Sequence, residues 1–321
     1  MNKYNIRKVM DENFLHFNSK TTLEASKAFE EQIERGNYMF ISIAGAMSTA
    51  EIGICLSKMI RKGKIHAIAC TGANLEEDIF NLIGKKHYKK IKNWRCLNEK
   101  DEQFLLNNNL NRITDVCIPE KVISKFKKIM FKYWKYADQK NIKMSPYQYI
   151  YKIIKSGDLD FCDNYLDSWV VAAAKKNIPI FTPGWEDSTL GNIFIAGVIS
   201  KHIKNLHIVK NGLEQMQDLI SWYRKTTVSR KIGFFQIGGG ISGDFAICVV
   251  PLILQDLNGE VPLWSYFCQI SDSTTSYGSY SGANPSEKIT WAKITVNTPS
   301  FSIESDASII VPLMFYYILS R

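Results

Sequence analysis

The segment Ser281-Gly282-Ala283-Asn284-Pro285-Ser286-Glu287-Lys288-Ile289-Thr290-Trp291-Ala292-Lys293-Ile294 holds a lysine, Lys293, in apolar company. An ammonium that loses its water has its pKa lowered from about 10.4 towards the range in which neutral amine is present. Neutral lysine attacks imines and carbonyls and forms Schiff bases. By composition alone a lysine that snorkels from a strand end with its charge in water is the commoner case. Two further stretches, Thr71-Gly72-Ala73 and Gly238-Gly239-Gly240, are small-residue turns of the kind that lets backbone amides approach a pyrophosphate. Neither is a full GxGxxG, and the triple glycine also suits a tight turn needing positive φ. Glu77 could accept a hydroxyl or an ammonium, or simply complement a helix dipole. Asp306, before Ala307-Ser308-Ile309, reads first as a helix N-cap.

Such residues need elements to hold them at one place. Several apolar runs of four to eight residues end in small residues followed by a helix-starting signal, the alternation of a parallel sheet flanked by helices. Tyr38 to Ile43 leads into Ala44-Gly45-Ala46, then Ser48 and Glu51 spaced as a capping box. Ile65 to Cys70 leads into Thr71-Gly72-Ala73-Asn74, and Leu75-Glu76-Glu77-Asp78 opens a helix. Ile178 to Thr182 precedes Pro183-Gly184, Ile232 to Ile237 precedes the triple glycine, and a last strand is expected over about Leu263 to Ile270. The reading is an α/β fold, Rossmann-like and doubly wound, in one domain over residues 1–321. Residues 84–156 form a mostly helical, basic segment within it. Ligands of open parallel sheets bind beyond the carboxyl ends of the strands, where these turns gather.

Composition narrows the function classes. The chain has 321 residues, 45% hydrophobic, enough for a sizeable core. Its amino terminus is charged throughout, and the apolar runs Phe245 to Leu254 and Ile309 to Leu319 each contain a proline. Both fall short of the roughly 20 residues that cross a bilayer, so a cytoplasmic protein with no membrane partner is expected. Seven cysteines without a CxxC pair suggest reduced thiols, and five histidines without HExxH give no metal site. The net charge of +9 could suit nucleic acid. However, Lys121, Lys125, Lys128, Lys132 and Lys135 alternate with Val122, Phe126, Ile129, Tyr133 and Ala137 at helical spacing, the pattern of a solvated helix face. No nucleic-acid partner is expected.

The segment SGANPSEKITWAKI resembles the active-site signature of the deoxyhypusine synthase family, with Lys293 matching the lysine that becomes covalently attached to substrate. TGANLEED, IPIFTPGWEDSTLG, IGGGISGD and ESDASIIVP match further family segments in the same order, from about Phe40 to Leu319. The resemblance implies NAD-dependent aminobutyl transfer. Spermidine is oxidised, diaminopropane leaves, the butyl-imine fragment passes to the lysine, and an acceptor amine takes it before the retained NADH reduces the new imine. The acceptor is a protein lysine in deoxyhypusine synthases and putrescine in the homospermidine synthases of the same fold. Homotetramers with sites shared across a dimer interface are typical of the family.

Carried over by position, the resemblance implies NAD contacts at Thr71, Gly72, Ala73, Glu77, Asp187, Gly239, Asp306 and Ala307, with the Gly45 to Thr49 turn and Asp272-Ser273 matching only in place. Spermidine handling falls on Glu76, Glu77, Gly278, Ser279, Glu287, Trp291 and Lys293. Carboxylates suit a polyamine, whose ammonium groups need anionic or carbonyl partners out of water, and Trp291 can face a cation or wall off the aliphatic chain. The chain departs from the family at Tyr277 and Tyr280, where acidic residues are usual, at Asn192 in place of an Asp, and at Asp244 in place of a His. Asp244 is expected to take a substrate ammonium. Against the transferase stands a catalytically silent NAD-binding or scaffold protein of the same fold.

Overall fold

The computed structural model of the chain describes residues 5–162, 164–276 and 278–321, so Tyr277 lies outside the described residues. Numbering the strands of the main sheet alone, β1 is Tyr38–Ile43, β2 Ala67–Cys70, β3 Ile180–Phe181, β4 Ile232–Ile237, β5 Phe267–Ser271 and β6 Ser300–Glu304. They pair in the order β3-β2-β1-β4-β5-β6, parallel at every step. The order reverses between β1 and β4, the switch point at which such sheets open a crevice.

The central strands are apolar runs because helices cover both sheet faces. Every residue of β4 is buried, as is β1 beyond its first position. On one face Phe40, Phe234 and Phe267 lie in register on neighbouring strands, with ring centroids 5.6 and 6.2 Å apart. Phe181 stacks on Phe40 at 6.2 Å across β2, whose Ala67 and Ala69 leave the room. Helices Gly212–Thr227 and Ile241–Ile247 pack there. On the other face Phe235 meets Phe29 of helix Phe17–Glu34 and Phe315 of helix Ala307–Leu319.

Several sequence expectations are corrected. The helix after β1 is Gly53–Arg61, and Ser48 and Glu51 form no capping box. The Ser48 hydroxyl donates instead to the Asn74 carbonyl at 2.7 Å, while Glu51 sits at φ +63°. The helix after β2 starts earlier than expected, as Gly72–Gly84 with Thr71 as N-cap. The 84–156 segment is mostly helical, as expected, and also holds strands that its pattern does not announce. Lys89–Lys90, Leu110–Ile113 and Val116–Pro119 make a small antiparallel sheet beside helices Glu99–Asn107, Glu120–Lys140 and Pro146–Ser156. Strand β5 begins later than expected, and β6 was not anticipated. The lysine helix matches its periodicity, with Val122, Phe126, Met130, Trp134 and Ala137 buried and the five lysines exposed. Among the described residues no helix is long and apolar enough to cross a membrane, and all seven cysteines are free.

Helix Gly72–Gly84 braces the fold through its acidic residues. The buried Asp78 carboxylate accepts from the Ser168 hydroxyl and from the amides of Trp169 at 3.3 Å and Val170 at 3.1 Å, capping helix Trp169–Lys176. Burial pushes its carboxyl up to about 7 against these hydrogen bonds. Replacing Asp78 by Ala is expected to cost about 2 kcal/mol or more, since buried donors lose their acceptor. Because the folded pKa lies above the unfolded value of 3.8, the stability Asp78 contributes is complete below that value and lost as pH rises through about 7. Urea midpoints should therefore show the largest penalty in mild acid and a smaller one in mild alkali.

Candidate active site

At the switch point β1 ends in Ala44-Gly45 and β4 in Gly238-Gly239-Gly240. The Ala44 amide donates to the Ile237 carbonyl at 2.9 Å, locking the two turns together. Gly238 (φ +74°) approaches Ala44 so closely that an added Cβ would lie 3.0 Å from the alanine methyl. Gly45 and Gly240, at φ +60° and +71°, would meet nothing within 4 Å and leave open backbone on the crevice. A buried amide ties in the β2 turn. Asn74 Nδ2 donates to the carbonyls of Ala44 (3.1 Å) and Gly45 (2.8 Å) and to Thr71 Oγ1 (2.8 Å), while its Oδ1 accepts from the Ser48 amide at 2.9 Å. Thr71 Oγ1 adds a bond to Gly45 O at 2.8 Å. Gly72 packs against Ser188, where a Cβ would come within 2.5 Å of the serine Cβ.

The lysine segment docks on the triple glycine. A side chain at 239 would stand 1.5 Å from Ser281 Oγ, so the contact exists only because residue 239 is glycine. The Gln269 amide group donates to the Ser281 carbonyl, Gln236 Nε2 donates to Gln269 Oε1 at 3.3 Å, and the Tyr280 hydroxyl donates to Gln236 Oε1 at 2.9 Å. Two buried glutamines, one each on β4 and β5, thereby hold the loop over the sheet edge. After the short helix Glu287–Thr290 the Lys293 amide donates to the Lys288 carbonyl at 3.0 Å, and the Lys293 carbonyl accepts from Trp264 at 3.1 Å. Ile294 enters the core.

Lys293 is 6% exposed. Its Nζ lies 3.5 Å from Asp244 Oδ1 and 5.5 and 5.7 Å from the ring centroids of Tyr280 and Trp291. The amine is therefore enclosed, but its neighbours lead outward, since the Asp244 side chain is 51% exposed and Trp291 63%. Asp244 stands on helix Ile241–Ile247, directly after the glycines, so the lysine and the crevice meet on one helix. Cys248 closes the far side, its Sγ 3.4 Å from Asp244 Oδ1. Burial pushes that thiol up, while the Lys293 charge pulls it down.

The other expected residues are placed as follows. Gly278 (φ +83°) and Ser279 are exposed in the loop, and Glu287 is exposed with Oε1 accepting from the Asn284 amide at 3.0 Å. Asp306 caps helix Ala307–Leu319 through the Ser308 amide at 2.7 Å, which puts Asp306 and Ala307 just past the carboxyl end of β6. Asp187 and Asn192 are exposed beyond β3. The adjacent glutamates differ. Both Glu76 oxygens accept backbone donors, Thr189 N at 2.9 Å and Leu190 N at 2.8 Å, and burial pushes its carboxyl up to about 7. Glu76 thus caps helix Thr189–Ile199. Glu77 is also raised by burial, opposed by Thr49, and its Oε2 is buried with no hydrogen-bond partner among the described residues. Both glutamates line a cavity of about 300 Å³ with Asn111, Glu120, Lys127 and Thr189, none of which touches Lys293.

The structure thus gathers Lys293, Asp244 and Trp291 and leaves Glu76 and Glu77 at a separate opening. Sequence reasoning missed Asn74, Gln236, Gln269, Cys248 and Lys288. Lys288 carried one available signal, a second lysine within the same motif.

Comparison with known proteins gives the family. A family model described as deoxyhypusine synthase matches residues 8–318. "Probable deoxyhypusine synthase 1" of Archaeoglobus fulgidus is 25% identical over 307 residues, spanning 95% of this chain and 90% of that one. "Deoxyhypusine synthase-like protein" of Elusimicrobium minutum is 23% identical over 320 residues, spanning 98% and 81%. Among solved structures, a candidate deoxyhypusine synthase of Entamoeba histolytica superposes with a TM-score of 0.62 at 13% identity, over 99% of this chain and 94% of that one, which shows a shared fold. With the family model spanning nearly all of its length, the chain belongs to the deoxyhypusine synthase family.

Proposed function

We propose that the protein is a transferase that uses NAD to move an aminobutyl group from spermidine, or a related polyamine, through an imine on Lys293 to an acceptor amine. The observation that carries this reading is the enclosed Lys293 amine beside Asp244, on the helix that leaves the glycine crevice. The acceptor is either a protein lysine, giving deoxyhypusine, or putrescine, giving homospermidine.

The crevice suits NAD on its own features. Open glycine backbone at Gly45 and Gly240 leaves room for a pyrophosphate, and the buried Ser242 Oγ, on the helix that follows the triple glycine, lacks a partner among the described residues. Thr71, Gly72, Ala73, Gly239, Asp306 and Ala307, at or just past strand ends, would hold it, together with Asp187 in the turn after β3 and Glu77 within helix Gly72–Gly84. When bound, NAD supplies the acceptance of hydride from an amine-bearing carbon and its later return.

The chain's own residues do the rest. Lys293, as the free amine, attacks the oxidised carbon and keeps the four-carbon fragment as a Schiff base until the acceptor displaces it. Asp244 faces that amine from the solvent side and can hold a substrate ammonium at the niche mouth. Trp291 offers an exposed ring face to a cation or an aliphatic chain. Glu287, Gly278 and Ser279 line the outer loop. Ile241, Trp291 and Ile309 are large apolar side chains left exposed around the crevice. A second copy covering them would shut out water, as in a homotetramer.

Incubation with NAD, spermidine and putrescine, with and without an acceptor protein, is expected to yield diaminopropane and one aminobutylated product, read by mass. Lys293→Arg should fold and give background turnover, because a guanidinium that stays charged cannot form the imine. Unchanged product from that variant would remove Lys293 as nucleophile. For Asp244→Asn the KM for the polyamine should rise roughly fivefold, equivalent to about 1 kcal/mol for a half-exposed charge pair. An unaltered KM takes the ammonium away from Asp244.

A further inference from the structure

The cavity of about 300 Å³ beside helix Gly72–Gly84 is closed by the small antiparallel sheet, the lysine helix Glu120–Lys140 and helix Thr189–Ile199. Its walls from Asn111 to Lys127 lie outside every segment that carries the family resemblance, and it does not reach Lys293. Phe80, Ile113, Ile118, Ile123 and Ile193 make the lining largely apolar. Two opposite charges stand in it without ionic partners. At the inner end Glu77 is 6% exposed, burial pushes its carboxyl up, and only Thr49 opposes this. At the rim Lys127 is exposed. Lys125 and Lys132 of the same helix pair with Asp160 and Asp158, whereas Lys127 meets no carboxylate among the described residues. The other carboxylates are engaged, Glu76 on its helix cap and Glu120 with Asn111 Nδ2 at 3.0 Å.

A buried carboxylate without a cation and a lysine without an anion, set across an apolar wall, suit one ligand that carries both charges at its ends. We propose that this cavity binds an ω-amino acid with an unbranched aliphatic chain, its ammonium on Glu77, its methylenes along the isoleucines and its carboxylate on Lys127. It is a second ligand site, separate from the lysine niche, and its volume is that of a small-molecule pocket. An alkylamine leaves Lys127 unmatched, and an alkyl carboxylate leaves Glu77 without its cation, so the two ends together set the selectivity. Glu77 is shared with the residues that would hold NAD. The variants that test the cavity are therefore made at Lys127 and Ile123, which are not.

The test is isothermal titration of the full chain, without NAD or polyamine, using 6-aminohexanoate, hexylamine and hexanoate. The amino acid should bind, hexylamine roughly fivefold more weakly, and hexanoate more weakly still, because an exposed ion pair contributes less than an enclosed one. Lys127→Met, at an exposed position that folding does not depend on, should weaken the amino acid roughly fivefold and leave hexylamine unchanged. Ile123→Trp should fill the cavity and abolish binding of both. Asp244→Asn, altered at the lysine niche, should bind the amino acid as wild type does, and a loss there would move the ligand to the niche and overturn the proposal. Absence of 6-aminohexanoate binding overturns it too, as does hexylamine binding equally well or an unchanged affinity in Lys127→Met. Putrescine bound more tightly than the amino acid and lost in Ile123→Trp gives the cavity to a diamine, which also overturns it. Every readout is made without turnover, so failure here leaves the transferase reading standing. An amino acid bound as described by a protein that forms no aminobutylated product keeps the cavity site and retracts that reading.

Discussion

One close contact sets the geometry of this site. Ser281 can rest on residue 239 only because that residue has no side chain, and the contact brings the 279–293 segment over the helix that leaves the glycine turn. The glutamines of β4 and β5 fasten the loop there, and from that position Lys293 reaches Asp244. The same glycine turn is one wall of the crevice at the sheet's switch point. The glycine crevice and the lysine niche are thus two sides of one short stretch of backbone, an arrangement that suits the proposed hydride removal followed by capture of the oxidised carbon.

The charges around the lysine differ from those the family pattern implies. Tyr280 brings a ring, not a carboxylate, beside the two lysines. The carboxylate next to the amine comes from Asp244, on the helix that leaves the glycine turn. A niche with one half-exposed carboxylate and one enclosed second amine holds a polycation less strongly than a carboxylate-lined one.

Much of this was legible in the sequence because local pattern and tertiary environment agree there. Strands β1 and β4 are buried on both faces, so their apolar runs declare them, and the small-residue turns mark their carboxyl ends. Other features depend on partners far along the chain. Ser48 and Glu51 are spaced as a capping box, but the Asn74 backbone captures the Ser48 hydroxyl. Glu76 looks like a ligand carboxylate until residues 189 and 190 claim both its oxygens. Strand β6, at the sheet edge, reads Ser-Phe-Ser-Ile-Glu, too polar for an apolar-run criterion, and β3 has two residues. In the basic segment, lysines and asparagines hide three short antiparallel strands. Lys288 sits in a four-residue helix with no period to read, and the rings that enclose it belong to β5 and the docked loop.

The account stands on covalent chemistry at one nitrogen. Borohydride added to the protein with NAD and spermidine should fix a reduced aminobutyl adduct, and peptide mapping should find the added mass on the Lys293 peptide of the wild type and none on Lys293→Ala. An adduct that forms equally in that variant, or no adduct in a folded wild type, would contradict it.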